Sequence, residues 1–254
     1  MFDKIEKKIK VELDPFDHAI VEDFLPTDEI RIAESEFKQF NSSMDSGNAR
    51  YQKTKKHFEN FKLMPKSIKK IIENFYSPRF ISILEEKFKL KNIQPDWTLR
   101  GGGMHTSETG GYLKLHSDFI YKRKSKMRRV LNLLIYLNSA WKNAWNGSLE
   151  LWNKDMTTCK KKISPLINNA IIFRTDMDSN HGFPEPITCP KNVSRMSIAL
   201  YYYVKENSIL PIRMKKRKLY HAVWKKRPGT NEPVFSDQDS LLKRIKNRFF
   251  FRFF

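Results

Sequence analysis

The chain has 254 residues, with 48 Lys and Arg against 28 Asp and Glu, for a formal net charge of +20. Apolar residues make up 40%, and 19 Phe, 9 Tyr and 5 Trp are too many for a generically disordered chain. The longest apolar run, 198–204, falls far short of the roughly 20 residues that cross a bilayer. The N-terminus shows no apolar signal segment, and Cys159 and Cys189 form no CxxC pair for zinc or redox work. These features predict one domain with a core large enough to need no staples, in the reducing cytoplasm.

Residues 1–30 hold nine carboxylates. Among them, 16–25 alternate loosely and predict a strand. Pro26-Thr27-Asp28-Glu29 predicts a helix start, because the Thr27 oxygen can cap free N–H groups and early carboxylates suit the positive helix end. The helix is expected to run to about residue 40. A polar loop follows at 41–47. The stretch around His57-Phe58-Glu59 is Lys-rich and helix-like, and side chains two apart on a helix diverge by about 200°. That pair therefore reads as surface. Residues 64–75 and 79–88 carry apolar residues at helical spacing, with Ser77-Pro78 between them. The segment 1–95 is expected as an N-terminal strand and helical support region.

From residue 96 the texture changes. Short apolar or alternating runs at 97–104, 112–119, 130–137, 148–152, 170–174 and 195–204 are separated by Gly101-Gly102-Gly103, Gly110-Gly111, Asn146-Gly147 and Asn168-Asn169. Many short strands at this spacing predict a β-sandwich or barrel over 96–204. The fold class is mainly β with flanking α. Residues 205–254 form a basic extension with 14 Lys and Arg against 4 Asp and Glu. Its end, LLKRIKNRFFFRFF, suits either docking onto the barrel or an anionic membrane surface.

The chemistry starts at His116-Ser117-Asp118. In a strand, residues two apart point to the same side, so imidazole and carboxylate project together. His181, from a later strand, would complete two imidazoles and one carboxylate, leaving positions open for a co-substrate and O₂ on Fe(II). His-x-acid alone is weak: with 6 His and 28 acidic residues, about 0.7 such pairs arise by chance. Arg195-Met196-Ser197 adds weight. It opens the strand RMSIALYYYV, and a buried Arg195 needs an anion, which a dicarboxylate could supply with Ser197 assisting.

Taken in order, GGYLKLHSDF, RRVLNLLIYLN, GSLELWNKDM, NNAIIF, HGFPEPITCP and SRMSIALYYY resemble the prolyl-4-hydroxylase-like group of Fe(II)- and 2-oxoglutarate-dependent oxygenases. The resemblance covers about residues 15–230. It implies a double-stranded β-helix, or jelly roll, with an N-terminal helical layer. It further implies His116, Asp118 and His181 as iron ligands and Arg195 with Ser197 as the 2-oxoglutarate anchor. Lys191, ten after His181, is a rival anchor. Tyr112, on the same face as His116 and Asp118 by the period-two rule, and Asn132, on the next strand, are expected to line the co-substrate pocket. The implied cofactors are Fe(II), 2-oxoglutarate and O₂, with ascorbate as an optional reductant. The implied reaction is hydroxylation of an unactivated C–H bond. Peptidyl proline is the first-guess substrate, beside a free amino acid, a sugar-linked group or a nucleobase.

A rival reading is a nucleic-acid or polyanion-binding protein on a jelly-roll scaffold. Basic clusters at 121–129, 214–218 and 225–227 favour attraction to polyanions, which needs no sequence motif. A third reading, a zinc hydrolase, would use the same three ligands. His105, after the triple glycine, lies near the expected pocket edge.

Overall fold

The computed structural model describes residues 1–40, 44, the backbone of 45–49, and residues 52–122, 126–205 and 220–230. In chain order it contains α1 (Phe2–Lys8), β1 (His18–Val21), α2 (Thr27–Phe40), β2 (Asp45–Ala49), β3 (Gln52–Phe58), α3 (Lys66–Phe75), α4 (Pro78–Lys87) and β4 (Ile93–Pro95). There follow β5 (Gly103–Ser117), β6 (Met127–Tyr136), β7 (Leu149–Trp152), β8 (Cys159–Ile163), β9 (Ala170–Arg174), β10 (Asn180–Phe183), β11 (Arg195–Lys205) and β12 (Val223–Trp224). The strands form a curled antiparallel sheet in the order β1-β9-β6-β11-β5-β10-β7-β8, with β3 and β12 also on β5 and β4 on β11.

Period-two alternation gives each central strand one face for packing and one for chemistry. Leu131, Leu133 and Ile135 of β6, with Ile198, Leu200 and Tyr202 of β11, pack under the helices with Phe24, Phe37, Phe75 and Phe80. The rings of Phe24 and Phe75 stack at 4.7 Å. The intervening Asn132, Arg195, Ser197 and Tyr201 face the hollow of the sheet instead. A second core of Tyr136, Leu149, Leu151, Ile163, Ile171 and Phe173 fills one end of that hollow.

The helices follow local signals. α2 spans Thr27–Phe40 with Asp28 and Glu29 in its first turn. α4 starts at Pro78, and the Ser77 hydroxyl accepts from the Phe80 N–H, an N-cap beside a proline at the first helical position. The expected strand at 16–25 is the shorter β1.

Three expectations need correction. The runs at 97–104 and 112–119 are not two strands: 103–117 is a single strand, β5, pairing with β11 through 103–107 and with β10 through 113–116. Gly110, at φ +76°, helps it bend across. The segment read as polar loop and surface helix is the hairpin β2–β3, which lies on β5. The ladder on β5 overrides a composition with no apolar period. In that strand geometry His57 and Glu59 do not diverge; Nε2 and Oε1 are 3.6 Å apart. The basic clusters at 123–125 and 214–218 and the tail at 241–254 lie outside the described residues.

Candidate active site

His116 and His181 are direct cross-strand partners on β5 and β10. Their ring centroids are 4.5 Å apart. Asp118 follows just after β5. Its Oδ1 is 3.6 Å from His116 Nε2 and its Oδ2 is 3.6 Å from His181 Nε2. One donor atom from each of the three lies within 4.8 Å of the others.

Local backbone sets the histidine tautomers. Nδ1 of His116 lies 2.8 Å from the Lys114 carbonyl oxygen, and Nδ1 of His181 lies 2.9 Å from that of Ser179. A carbonyl can only accept, so Nδ1 of each ring is the donor to it, and Nε2 is the nitrogen that faces Asp118. Burial, helped by His116, pushes His181 down to about 4 and keeps it neutral. For Asp118, burial alone would raise the carboxyl, but Arg129 beside it, with both histidines, holds it well below the usual range. Two imidazole nitrogens and one carboxylate facing a common point suit a divalent transition ion with open positions.

Neighbours hold these donors in place. The Asn132 amide donates to Asp118 Oδ2 at 2.8 Å, and its Oδ1 accepts from Arg129 Nε at 2.6 Å. The Arg129 guanidinium lies 3.2 Å from the same carboxylate and 3.4 Å from the Tyr201 ring centroid. The Trp224 ring of β12 covers His116 at 4.8 Å, and the Phe173 ring meets His181 at 4.8 Å.

The three donors open into a cavity of about 210 Å³. Arg195 sits in its wall, 6% exposed. Its Nε donates to the Gly147 carbonyl at 2.7 Å and its NH2 to the Tyr136 hydroxyl at 3.2 Å. Gly147, at φ +76°, is tight: a side chain there would press on Trp141, Arg195 and Ile187. No carboxylate pairs with Arg195 among the described residues. It is therefore a buried cation with room for an anionic ligand.

The sequence-selected residues divide as follows. His116, Asp118, His181, Asn132, Arg195 and Ser197 all line this cavity. Lys191 does not; it is exposed, in the turn closed by the Val193 N–H to Pro190 carbonyl bond. Tyr112 does not either, and Leu113 takes that face. The reason is a register shift: two residues of β10, from His181 to Phe183, span three of β5, from His116 to Leu113. A bulge of this kind breaks the period-two rule. His105 is in the wall, with Nε2 buried and unpartnered. Arg129, Tyr136, Trp224 and Lys55 were not singled out from sequence. Arg129 and Asn132 stand three apart on β6, so alternation alone would separate them.

Residues 102–203 match the family model described as the 2OG-Fe(II) oxygenase superfamily. No curated protein matches the sequence. Among solved structures, a Pseudomonas putida prolyl-4-hydroxylase is 12% identical with a TM-score of 0.58, covering 79% of this chain and 98% of that one. A Trichoplax adhaerens prolyl hydroxylase, solved with a hypoxia inducible factor peptide fragment, is 16% identical with a TM-score of 0.56, covering 80% and 91%. HygX from Streptomyces hygroscopicus, with nickel, 2-oxoglutarate and hygromycin B, is 9% identical with a TM-score of 0.53, covering 84% and 94%. At these identities the likeness is one of fold.

Jelly roll and donor set together define a non-haem iron dioxygenase. More narrowly, residues 102–203 match the 2OG-Fe(II) oxygenase superfamily within a chain of prolyl-4-hydroxylase-like fold, and Fe(II), 2-oxoglutarate and O₂ are the cofactors of that superfamily.

Proposed function

We propose that this enzyme hydroxylates a C–H bond of a peptide, with prolyl hydroxylation as the reaction. The observation carrying the reading is the meeting of His116, Asp118 and His181 beside a buried Arg195 that has no counterion among the described residues. The peptide fits the likeness to a neighbour solved with a peptide fragment.

In this reading His116, Asp118 and His181 would hold Fe(II), their Nε2 atoms and carboxylate being the donors that face one another. When bound, the iron and 2-oxoglutarate supply the oxidising power: with O₂, the co-substrate loses CO₂ to become succinate while one oxygen atom enters the substrate C–H bond. Arg195 would pair with the far carboxylate of 2-oxoglutarate, aided by the Ser197 hydroxyl, while Tyr136, which accepts from the guanidinium, would hold Arg195 in place. That contact fixes which end of the dicarboxylate faces the three donors. Asn132 and Arg129 hold Asp118 ionised and oriented. Trp224 and Phe173 shield the two imidazoles from water on their outer faces.

The free thiols Cys159 and Cys189 accord with a reducing, cytoplasmic setting. The test of function is anaerobic titration of the protein with Fe(II) and 2-oxoglutarate, followed by O₂ and measurement of succinate. A visible charge-transfer band and O₂-dependent succinate support the reading. Absence of both in the wild-type protein, with both present in a known hydroxylase run alongside, rejects it.

A further inference from the structure

Four ionised side chains line the central cavity among the described residues: Lys55, Arg129, Arg195 and Asp118. A divalent metal and a doubly charged co-substrate add charges that cancel, so the surplus is positive. Arg129 is paired with Asp118. Arg195 is the anchor for the co-substrate. Lys55 then has no counterion: it makes no hydrogen bond or ion pair among the described residues, although Asp118, Arg195, Arg129 and Glu59 all act on its charge. Burial, with Arg195 and Arg129 adding repulsion, pushes its ammonium down to about 8. It stays largely protonated at neutral pH, in surroundings that favour pairing with an anion.

The backbone aims this side chain. The β3–β5 register shifts between Lys53 and Lys55. Thr54, between them, takes a left-handed φ of 53° and is pinned by its hydroxyl, which donates to the Glu108 carbonyl. A β-branched residue is costly in that conformation. A bulge there redirects the next side chain, and Lys55 turns into the cavity.

The cavity also continues outward. A second hollow of about 390 Å³ shares Phe119 and Ala222 with the first and has Arg100 and Lys122 in its wall, the latter paired with Asp96. Arg100 is exposed and has no ion-pair partner among the described residues. Aromatic rings of Tyr121, Tyr203 and Tyr220 line the passage. An extended ligand, not a compact metabolite, fits two adjoining hollows with Lys55 in the wall of one and Arg100 in the wall of the other.

Resting on the hydroxylase reading above, we propose that the substrate is an acidic peptide: a carboxylate beside the hydroxylated residue pairs with Lys55, and a further one reaches Arg100. Neutral His105 supplies no charge. Burial holds it well below its usual range.

The test is direct binding, without turnover, to the full-length protein loaded with Fe(II) and 2-oxoglutarate in the absence of oxygen. The probes are dye-labelled alternating Glu–Pro and Gln–Pro peptides of equal length, read by fluorescence anisotropy. The Glu–Pro peptide is expected to bind at least ~10-fold more tightly, the gain of a charge-assisted hydrogen bond. Lys55→Met should remove most of that preference and Lys55→Arg should keep most of it, while 2-oxoglutarate affinity, read from the charge-transfer band, is unchanged in both. Equal binding of the two peptides by wild type overturns the proposal. So does a preference that survives Lys55→Met, since the net charge alone would then explain it. Weakened 2-oxoglutarate binding in Lys55→Met would reassign the lysine to the co-substrate, and an oligonucleotide that displaces the Glu–Pro peptide at lower concentration would assign the groove to nucleic acid. A missing charge-transfer band in wild type counts against the oxygenase reading itself. A normal band with no charge preference defeats only the acidic-peptide proposal.

Discussion

Asn132 joins Asp118 to Arg129: its amide donates to the carboxylate at 2.8 Å while its carbonyl oxygen accepts from the guanidinium at 2.6 Å. One side chain thus fixes both members of a buried ion pair and, through them, the carboxylate of the triad. Asn132→Leu is of similar size and removes both bonds. Metal affinity should fall by roughly 10–100-fold, as for other residues that orient a ligand. Co(II) titration monitored by its visible bands measures this, with far-UV circular dichroism to check the fold.

Arg129 is 1% exposed and depends on Asp118 for charge balance. Asp118→Ala leaves that guanidinium buried and unpaired, which costs about 3–5 kcal/mol. Metal-free Asp118→Ala protein should therefore unfold at distinctly lower urea than wild type. Asp118→Ala/Arg129→Met should recover part of the loss without recovering metal binding. Equal stability of the two variants would show that the pair carries no such energy.

Burial first, then His116, holds His181 near 4 in the folded chain, against about 6.5 when unfolded. Between those values the unfolded state binds more protons, so stability of the metal-free protein drops as pH falls from 6.5 towards 4. The full effect is about 3 kcal/mol. His181→Asn cannot titrate there, and its urea midpoint should vary correspondingly less across the window.

Arg195→Met removes the expected partner of the co-substrate carboxylate. The 2-oxoglutarate dissociation constant should rise roughly 10–100-fold. Tyr136→Phe, which deletes only the hydroxyl 3.2 Å from the guanidinium, should have a smaller effect. Lys191→Ala, at an exposed turn, should leave the constant unchanged. The charge-transfer titration reports all three.

The Trp224 ring lies 4.8 Å from the His116 ring. A paramagnetic ion held by His116 should quench its fluorescence. The quenching on adding Fe(II) or Co(II) should shrink in Trp224→Phe, with metal affinity changed by less than about 10-fold. Undiminished quenching would place the sensitive tryptophan elsewhere.

Where local rules apply, the sequence was readable. The acidic first turn after Pro26 marks α2, and Ser77-Pro78 marks α4, where the Ser77 hydroxyl caps Phe80, because these signals act within one turn. Alternation in 130–137 and 195–204 separates the packed faces of β6 and β11 from the faces that carry Asn132, Arg195 and Ser197. His116 and Asp118 were visible as a pair because they stand only two positions apart.

The failures share a cause, which is pairing between distant segments. The polar hairpin β2–β3 exists because β5 offers a ladder, and nothing in its own composition announces that partner. Tyr112 was placed on the cavity face by a period that the bulge opposite His181 interrupts. Lys55 reaches the cavity only because Thr54 breaks the register of the same hairpin.

Read alone, the chain determined its class, its helical layer, its run of short strands and the residue types fit for Fe(II) and a dicarboxylate, since these depend on side-chain chemistry and near-neighbour spacing. Only the tertiary structure decided that His181 faces His116, that Arg195 and not Lys191 enters the cavity, and that Lys55 stands there without a counterion among the described residues. Those facts follow from strand register and bulges, and register is set by which strands meet across the sheet.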